Sequence, residues 1–175
     1  MNPIDTLEQA IRTVPDFPKS GIHFKDITPI LSKMSLLKLA VEQLVLPFKG
    51  ENITKVVGVE SRGFVMAPMI ALELGAGFIP VRKEGKLPRQ TYSVSYDLEY
   101  GSDTLEMHRD SIRPSDRVLI HDDVLATGGT AAAVEDLVDR SAGEIVGLSF
   151  LIELVELEGR AKLRYKEKVR SVIQM

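Results

Sequence analysis

Ile4, Leu7 and Ile11 recur at helical spacing, which predicts a short helix over residues 3–13. Residues 14–29 carry Pro15, Pro18 and Gly21 and are predicted to hold no long regular element. A second helix is predicted over 35–46, with Leu36, Leu39, Ala40 and Leu44 as its apolar stripe, Ser35 as its cap and Pro47 just past its end. Short apolar, β-branched runs at 55–59, 78–81, 117–121 and 144–154 read as buried strands, with a closing strand near 169–173. Between them, residues 64–74 are predicted to be a helix stopped by Gly75 and Gly77. Residues 130–142 are predicted to be another, ended by Gly143 in the left-handed position. Strands alternating with helices predict an α/β fold with a doubly wound, mainly parallel central sheet flanked by helices.

Residues 82–110 break that rhythm. Tyr92, Val94, Tyr96, Leu98 and Tyr100 alternate with Thr91, Ser93, Ser95, Asp97 and Glu99, a period of two that predicts a β-hairpin. Its turn is placed at Gly101-Ser102-Asp103 and its return through Leu105 and Met107. A long excursion between sheet strands is functional or disordered, and the alternation favours an ordered arm, read here as a flexible flap. One domain over 1–175 accommodates all of this, with residues 1–34 as an N-terminal helix and hood.

Composition removes several classes of function. The chain has no Cys, which excludes disulfide frameworks, thiolate metal sites and cysteine nucleophiles. Its three histidines, His23, His108 and His121, have no ligand-like spacing. A formal charge of −3 argues against a general nucleic-acid binder, and no apolar run approaches a membrane span. Met1–Asp5 lacks the basic start and apolar core of a signal peptide, so a cytoplasmic location is expected.

The strongest chemical signal is Val118-Leu119-Ile120-His121-Asp122-Asp123-Val124-Leu125-Ala126-Thr127-Gly128-Gly129-Thr130. It reads as an apolar strand that ends, two carboxylates, and a Thr-Gly-Gly-Thr turn opening a helix. A glycine turn there lets backbone N–H groups approach an anion, and the helix N-terminus favours negative charge. Adjacent acids would repel that anion unless they accept hydrogen bonds from vicinal sugar hydroxyls or face Mg²⁺ indirectly. The motif therefore describes a ribose 5-phosphate; the ordinary alternative is a capped helix with acids in its first turn. No Walker A or dinucleotide fingerprint occurs. A second strand-to-helix turn, Glu60-Ser61-Arg62-Gly63-Phe64, offers another set of N–H groups beside the first, and Arg82, Lys83, Lys86 and Arg89 place four cations in eight residues.

The long string resembles the phosphoribosyl pyrophosphate signature of the type I phosphoribosyltransferases. Further segments resemble the adenine-specific branch of that family: Pro15-Asp16-Phe17-Pro18, Gly21-Ile22, Phe24 to Pro29, Glu60 to Phe64, Arg82-Lys83, Gly85 to Pro88, Leu98-Glu99-Tyr100-Gly101, Ile152-Glu153-Leu154 and Gly159-Arg160. Their order holds from about residue 11 to 163. The resemblance implies transfer of the 5-phosphoribosyl group from phosphoribosyl pyrophosphate to adenine, giving AMP and pyrophosphate, in purine salvage.

It also implies roles. Ala126, Thr127, Gly128, Gly129 and Thr130 would bind the 5-phosphate, and Asp122 and Asp123 the ribose hydroxyls. Ser61, Arg62, Arg82, Lys83 and Lys86 would hold pyrophosphate, with a non-proline cis peptide at Ser61–Arg62. Glu99 would be the catalytic, proton-handling carboxylate, with Tyr100 packed beside the site. Adenine would lie between Phe24 and Val124, its edge read by backbone near His23, Phe24, Lys25 and Arg62, which makes the hood base-binding. Mg²⁺ would accompany the pyrophosphate group, no metal being held by protein ligands alone, and a homodimer with neither nucleic-acid nor membrane partners is implied. Val124 departs from the family's usual Leu and His121 from its usual apolar residue. His121 is read as packed and hydrogen-bonded rather than catalytic. Two rivals remain: a phosphoribosyltransferase for another base, and a regulatory protein that keeps the site but has lost catalysis.

Overall fold

The computed structural model describes residues 2–97 and 102–175. The chain divides into two compact units, Met1–Gln43 and Leu44–Met175.

In the first unit, α1 (Pro3–Ala10) starts at Asn2, whose side chain accepts from the Ile4 N–H, and has Pro3 in its first turn. It is shorter than the predicted 3–13, because Arg12–Val14 (β1) pairs antiparallel with Phe24–Asp26 (β2). Between these strands Gly21 takes a positive φ of 86° and donates its N–H to Asp16 Oδ1 at 2.7 Å. Pro29 lies in the short helix α2 (Thr28–Leu31). Helix α3 (Met34–Val45) crosses the division between the units and buries Ala40, Val41, Leu44 and Val45. It begins one residue before Ser35, which therefore lies inside the first turn and is not the cap.

The second unit is built on seven strands: β3 (Lys55–Val59), β4 (Gly77–Lys83), β5 (Thr91–Asp97), β6 (Ser102–His108), β7 (Arg117–Leu125), β8 (Glu144–Glu153) and β9 (Val169–Gln174). They lie in the order β5-β6-β4-β3-β7-β8-β9. The run from β4 to β9 is parallel, and β6 and β5 extend it antiparallel. Helices α4 (Gly63–Leu74) and α5 (Gly129–Arg140) connect β3 to β4 and β7 to β8. Side chains alternate along the strands, so Val57, Val59, Val118 and Ile120 share one core with α5 residues such as Val134 and Leu137. On the other face Gly58 lets α4 come close, since a Cβ there would stand 2.6 Å from Ala67 Cβ. The sheet is thus covered on both faces, as the alternation of elements predicts. The chain leaves β3 toward β4 and later returns to β7 on β3's other side. This puts a topological switch point between the carboxyl ends of β3 and β7, where open α/β sheets bind ligands.

Two sequence expectations shift. Helix α5 ends at Arg140, and Ala142, not Gly143, takes the left-handed conformation, at φ 58°. Gly143 is needed for space: a Cβ there would lie 2.6 Å from Ile112 Cγ2. The hairpin is also no detached arm. Arg82 and Lys83 of β4 pair with Glu106 and Leu105 of β6, and Val94, Leu105 and Met107 enter the core. Ser102 and Asp103 are paired with Asp97 and Tyr96 in the ladder and are not turn residues.

Candidate active site

Strand β7 runs four residues past the predicted end at His121, so Asp122 and Asp123 stand within it. The reason is pairing: β8 stays in register through Asp122↔Phe150, Val124↔Ile152 and Leu125↔Glu153. Pairing with β3 stops at Gly58↔His121, so Asp122 to Leu125 are laddered on one side only. The turn that follows, Ala126-Thr127-Gly128, enters α5 through Gly128 at φ 82°, and the helix starts at Gly129, one residue earlier than predicted. No side chain caps α5 at this end, so its first-turn N–H groups are available to an anion. Asp122, Val124, Ala126, Thr127, Gly129 and Thr130 line a concavity here, closed below by Phe150. Thr130 Oγ1 lies 3.4 Å from the Tyr96 hydroxyl of β5, and Thr127 is exposed.

The neighbouring β3–α4 turn is organised by charge. Arg62 Nη2 meets Asp123 Oδ2 at 2.5 Å, and Asp123 is only 4% exposed. Burial pushes the Asp123 carboxyl up in pKa although Arg62 opposes that shift. Burial, with the Asp123 charge beside it, raises Asp122 further. Asp122 Oδ1 accepts the Asp123 N–H at 2.9 Å, and a Cβ at Gly63 would stand 3.0 Å from the same oxygen. Glycine at 63 therefore lets α4 begin directly against the acid pair. Ser61 is exposed in the turn. The non-proline cis peptide is at Glu60–Ser61, one bond before the position expected from the resemblance.

The basic cluster is not a set of unengaged cations. Arg82 grips Glu60 with two bonds, Nε–Oε2 at 3.1 Å and Nη2–Oε1 at 3.2 Å, and the Lys83 N–H donates to Glu60 Oε2 at 3.0 Å. The Arg82 hydrogen bonds hold the Glu60 carboxyl below its usual pKa. Lys83 Nζ reaches Asp103 Oδ2 of β6 at 3.0 Å, a bond that raises the Lys83 pKa. Lys86 is exposed, and its carbonyl accepts from Arg82 Nη1 at 3.2 Å. Arg89 pairs with Asp110, away from these residues.

Glu99, Leu98, Tyr100 and Gly101 lie outside the described residues. Of the base-binding set, His23 is exposed, and Phe24 in β2 packs edge-to-face with Phe17 at a centroid distance of 5.2 Å. Lys25 Nζ donates to Thr13 Oγ1 at 3.2 Å. Val124, in the second unit, is half-buried on β7. His121 is fully buried, its Nδ1 3.0 Å from the Ser149 carbonyl, and desolvation lowers its pKa to about 4, in keeping with a packed role.

Sequence reasoning missed three contributors. Glu60 was read only as turn backbone, yet it organises Arg82 and Lys83. Asp103, placed in a turn, instead engages Lys83. Gly159 packs against the Ala126–Gly128 turn from far along the chain. The Glu60-Ser61-Arg62 string held a signal for the first; nothing local announces the other two.

The family model for the phosphoribosyl transferase domain matches residues 31–174. An adenine phosphoribosyltransferase of Acidothermus cellulolyticus is 52% identical over 165 residues, which cover 94% of this chain and 93% of that one. The crystal structure of the Rhodothermus marinus adenine phosphoribosyltransferase aligns with a TM-score of 0.94 at 61% identity, covering 99% and 98% of the two chains. That of the Saccharomyces cerevisiae enzyme, complexed with an imino-altritol bisphosphate and adenine, aligns at 0.92 and 38% identity, covering 97% and 98%. Similarity of this extent, in sequence and in fold together, shows that the chain belongs to the adenine phosphoribosyltransferases of the type I phosphoribosyltransferase family.

Proposed function

We propose that this enzyme joins adenine to the ribosyl carbon of phosphoribosyl pyrophosphate, releasing pyrophosphate and forming AMP for purine salvage, with the two turns at the switch point dividing the substrate's anions. The observation that carries this reading is the uncapped, glycine-built start of α5 lying beside the Arg62–Asp123 pair. The α5 end takes the 5-phosphate through the Ala126–Thr130 backbone and the Thr127 and Thr130 hydroxyls. Asp122 and Asp123 take the ribose hydroxyls. Ser61, Arg62, Arg82, Lys83 and Lys86 face the leaving pyrophosphate, where cations stabilise the charge that develops as the C–O bond breaks. Because Arg82, Lys83 and Arg62 already sit on carboxylates, the incoming anion exchanges with Glu60, Asp103 and Asp123 rather than meeting unpaired charges. As the ring nitrogen of adenine bonds to carbon, its proton passes to Glu99. Phe24 and Val124 supply apolar surface for the base, and backbone near His23, Lys25 and Arg62 reads its edge.

Among the described residues no three His, Asp or Glu side chains converge into a metal cage. The adjacent Asp122 and Asp123 carboxylates would meet an Mg²⁺ ion delivered on the substrate's own oxygens, and the ion would supply charge neutralisation of pyrophosphate. The outer face of α4 exposes Val65 and Leu72, apolar surface that suits a second copy of the chain in a homodimer.

The test is pyrophosphate release with Mg²⁺, phosphoribosyl pyrophosphate and one base at a time. Turnover with adenine alone is expected. Turnover with hypoxanthine, guanine or xanthine would retain the chemistry and discard the base-slot assignment. Binding without turnover on any base would favour the regulatory alternative. Glu99→Ala should lower kcat far more than it raises either KM; full turnover would remove its assigned role.

A further inference from the structure

The turn that begins α5 is shaped by a segment some thirty residues further along the chain. A Cβ on Gly159 would stand 2.0 Å from the Ala126 carbonyl oxygen and 2.9 Å from the Gly128 nitrogen. Reciprocally, a Cβ on Gly128 would stand 2.2 Å from the Gly159 carbonyl oxygen. The two backbones are therefore in direct contact, with no side chain between them. Gly159 is buried although Val155 to Glu158 before it are all exposed, so something must hold it in place.

That hold is visible in the next residue. Arg160 forms a bidentate pair with Glu153, Nε–Oε1 at 2.8 Å and Nη2–Oε2 at 2.6 Å. Glu153 is 5% exposed and also accepts from Ser171 Oγ at 2.7 Å and Gln174 Nε2 at 3.4 Å, both on β9. Its register partner on β7 is Leu125, the residue immediately before Ala126. The Leu154 N–H donates to the Leu125 carbonyl at 2.9 Å. The turn is consequently held from two sides by one short segment, through the backbone ladder at Leu125 and through the Glu153–Arg160 pair that seats Gly159. A planar, bidentate pair of this kind determines orientation as well as attraction.

We propose that Glu153 and Arg160 are positioning residues for the 5-phosphate turn, acting through Gly159 seated backbone-to-backbone on Ala126–Gly128. The proposal rests on the reading of that turn as the 5-phosphate subsite, so its test includes Thr127→Val as a direct probe of the reading. Ribose 5-phosphate binding is measured by calorimetry, alongside KM for each substrate and kcat. Arg160→Ala is expected to weaken ribose 5-phosphate binding and raise KM for phosphoribosyl pyrophosphate about tenfold, because small displacements of anion-binding groups cost that much or more. KM for adenine should stay within about twofold, a split that a general loss of structure would not produce. Arg160→Lys, which keeps the charge but not the fork, should recover part of the loss. If Arg160→Ala fails to fold, Ser171→Ala removes one bond to Glu153 and should weaken ribose 5-phosphate binding about twofold to threefold.

Unchanged ribose 5-phosphate affinity in Arg160→Ala, or in Ser171→Ala where that is the variant read, with Thr127→Val weakened, overturns the positioning role alone. If Thr127→Val is also without effect, the 5-phosphate reading falls and the positioning role falls with it.

Discussion

Strands β3 and β7 are neighbours, and each ends in a turn that feeds a helix, yet the two turns are held by different forces. After β7 the backbone does the shaping: Gly128 at φ 82° lies against Gly159, and no side chain makes a capping hydrogen bond to the start of α5. After β3 paired charges do it: Arg62 on Asp123, and Glu60 on Arg82 with the Lys83 N–H. A phosphate that stays bound throughout a reaction suits fixed N–H donors that need no rearrangement. A pyrophosphate that must leave suits cations that already have carboxylates to return to. On the proposed reading, the comparison sets a rigid phosphate subsite beside an exchangeable pyrophosphate one at the carboxyl ends of two adjacent interior strands.

Four tests sharpen or break this contrast. Gly128→Ala should have the largest effect, about 4 kcal/mol of stability, since it combines a left-handed φ with backbone overlap; tolerance in urea unfolding would deny that backbone contact shapes this turn. Arg62→Ala leaves the buried Asp123 unpaired and should cost about 3 kcal/mol. Adding Asp123→Asn should restore much of that stability without restoring phosphoribosyl pyrophosphate affinity, which separates the pair's structural part from its binding part.

His121 provides the third, beneath the β7 turn. Its folded pKa of about 4 lies below its ordinary 6.5, so the unfolded chain binds the extra proton as pH falls between those values. Wild type should therefore lose about 2 kcal/mol more than His121→Leu on going from about pH 7 to about pH 5. The raised pKa of Asp122 works in the opposite direction and is present in both proteins, so their difference isolates the histidine. Equal pH slopes would mean His121 is charged or solvated in the fold.

Glu60→Gln should have the smallest effect, about 1 kcal/mol, because the Arg82 pair is partly exposed and screened. Its stability contribution is present above the ordinary carboxylate pKa and is lost as pH falls through the lowered folded value. The matching kinetic readout is a change in KM for phosphoribosyl pyrophosphate of at most about fivefold. A larger change would make Glu60 more than a resting partner for Arg82.

Much of this architecture was legible from local pattern. The β-branched runs at 55–59 and 117–121 had to be buried strands, and the β3–α4–β4 and β7–α5–β8 units follow from their spacing. The hairpin's period of two was equally clear, but its union with the sheet was not. Val94, Leu105 and Met107 are apolar in any hairpin, and only the partner strand β4 turns them into core. Two boundaries were set by distant neighbours. Asp122 and Asp123 look polar enough to end a strand, but β8 continues beside residues 122–125 and keeps them extended. Ala142 takes the left-handed position, while Gly143 is needed for the space that Ile112 fills.

Residue type and spacing alone determined the class of fold, the two candidate anion-binding turns and the family resemblance, because each depends on groups within a few residues of one another. Tertiary structure decided who holds whom: Glu60 with Arg82, Asp103 with Lys83, Asp123 with Arg62, and Gly159 against Gly128. Those partners are separated by some twenty to sixty residues of chain, and no local pattern encodes which distant group the sheet order will bring within reach.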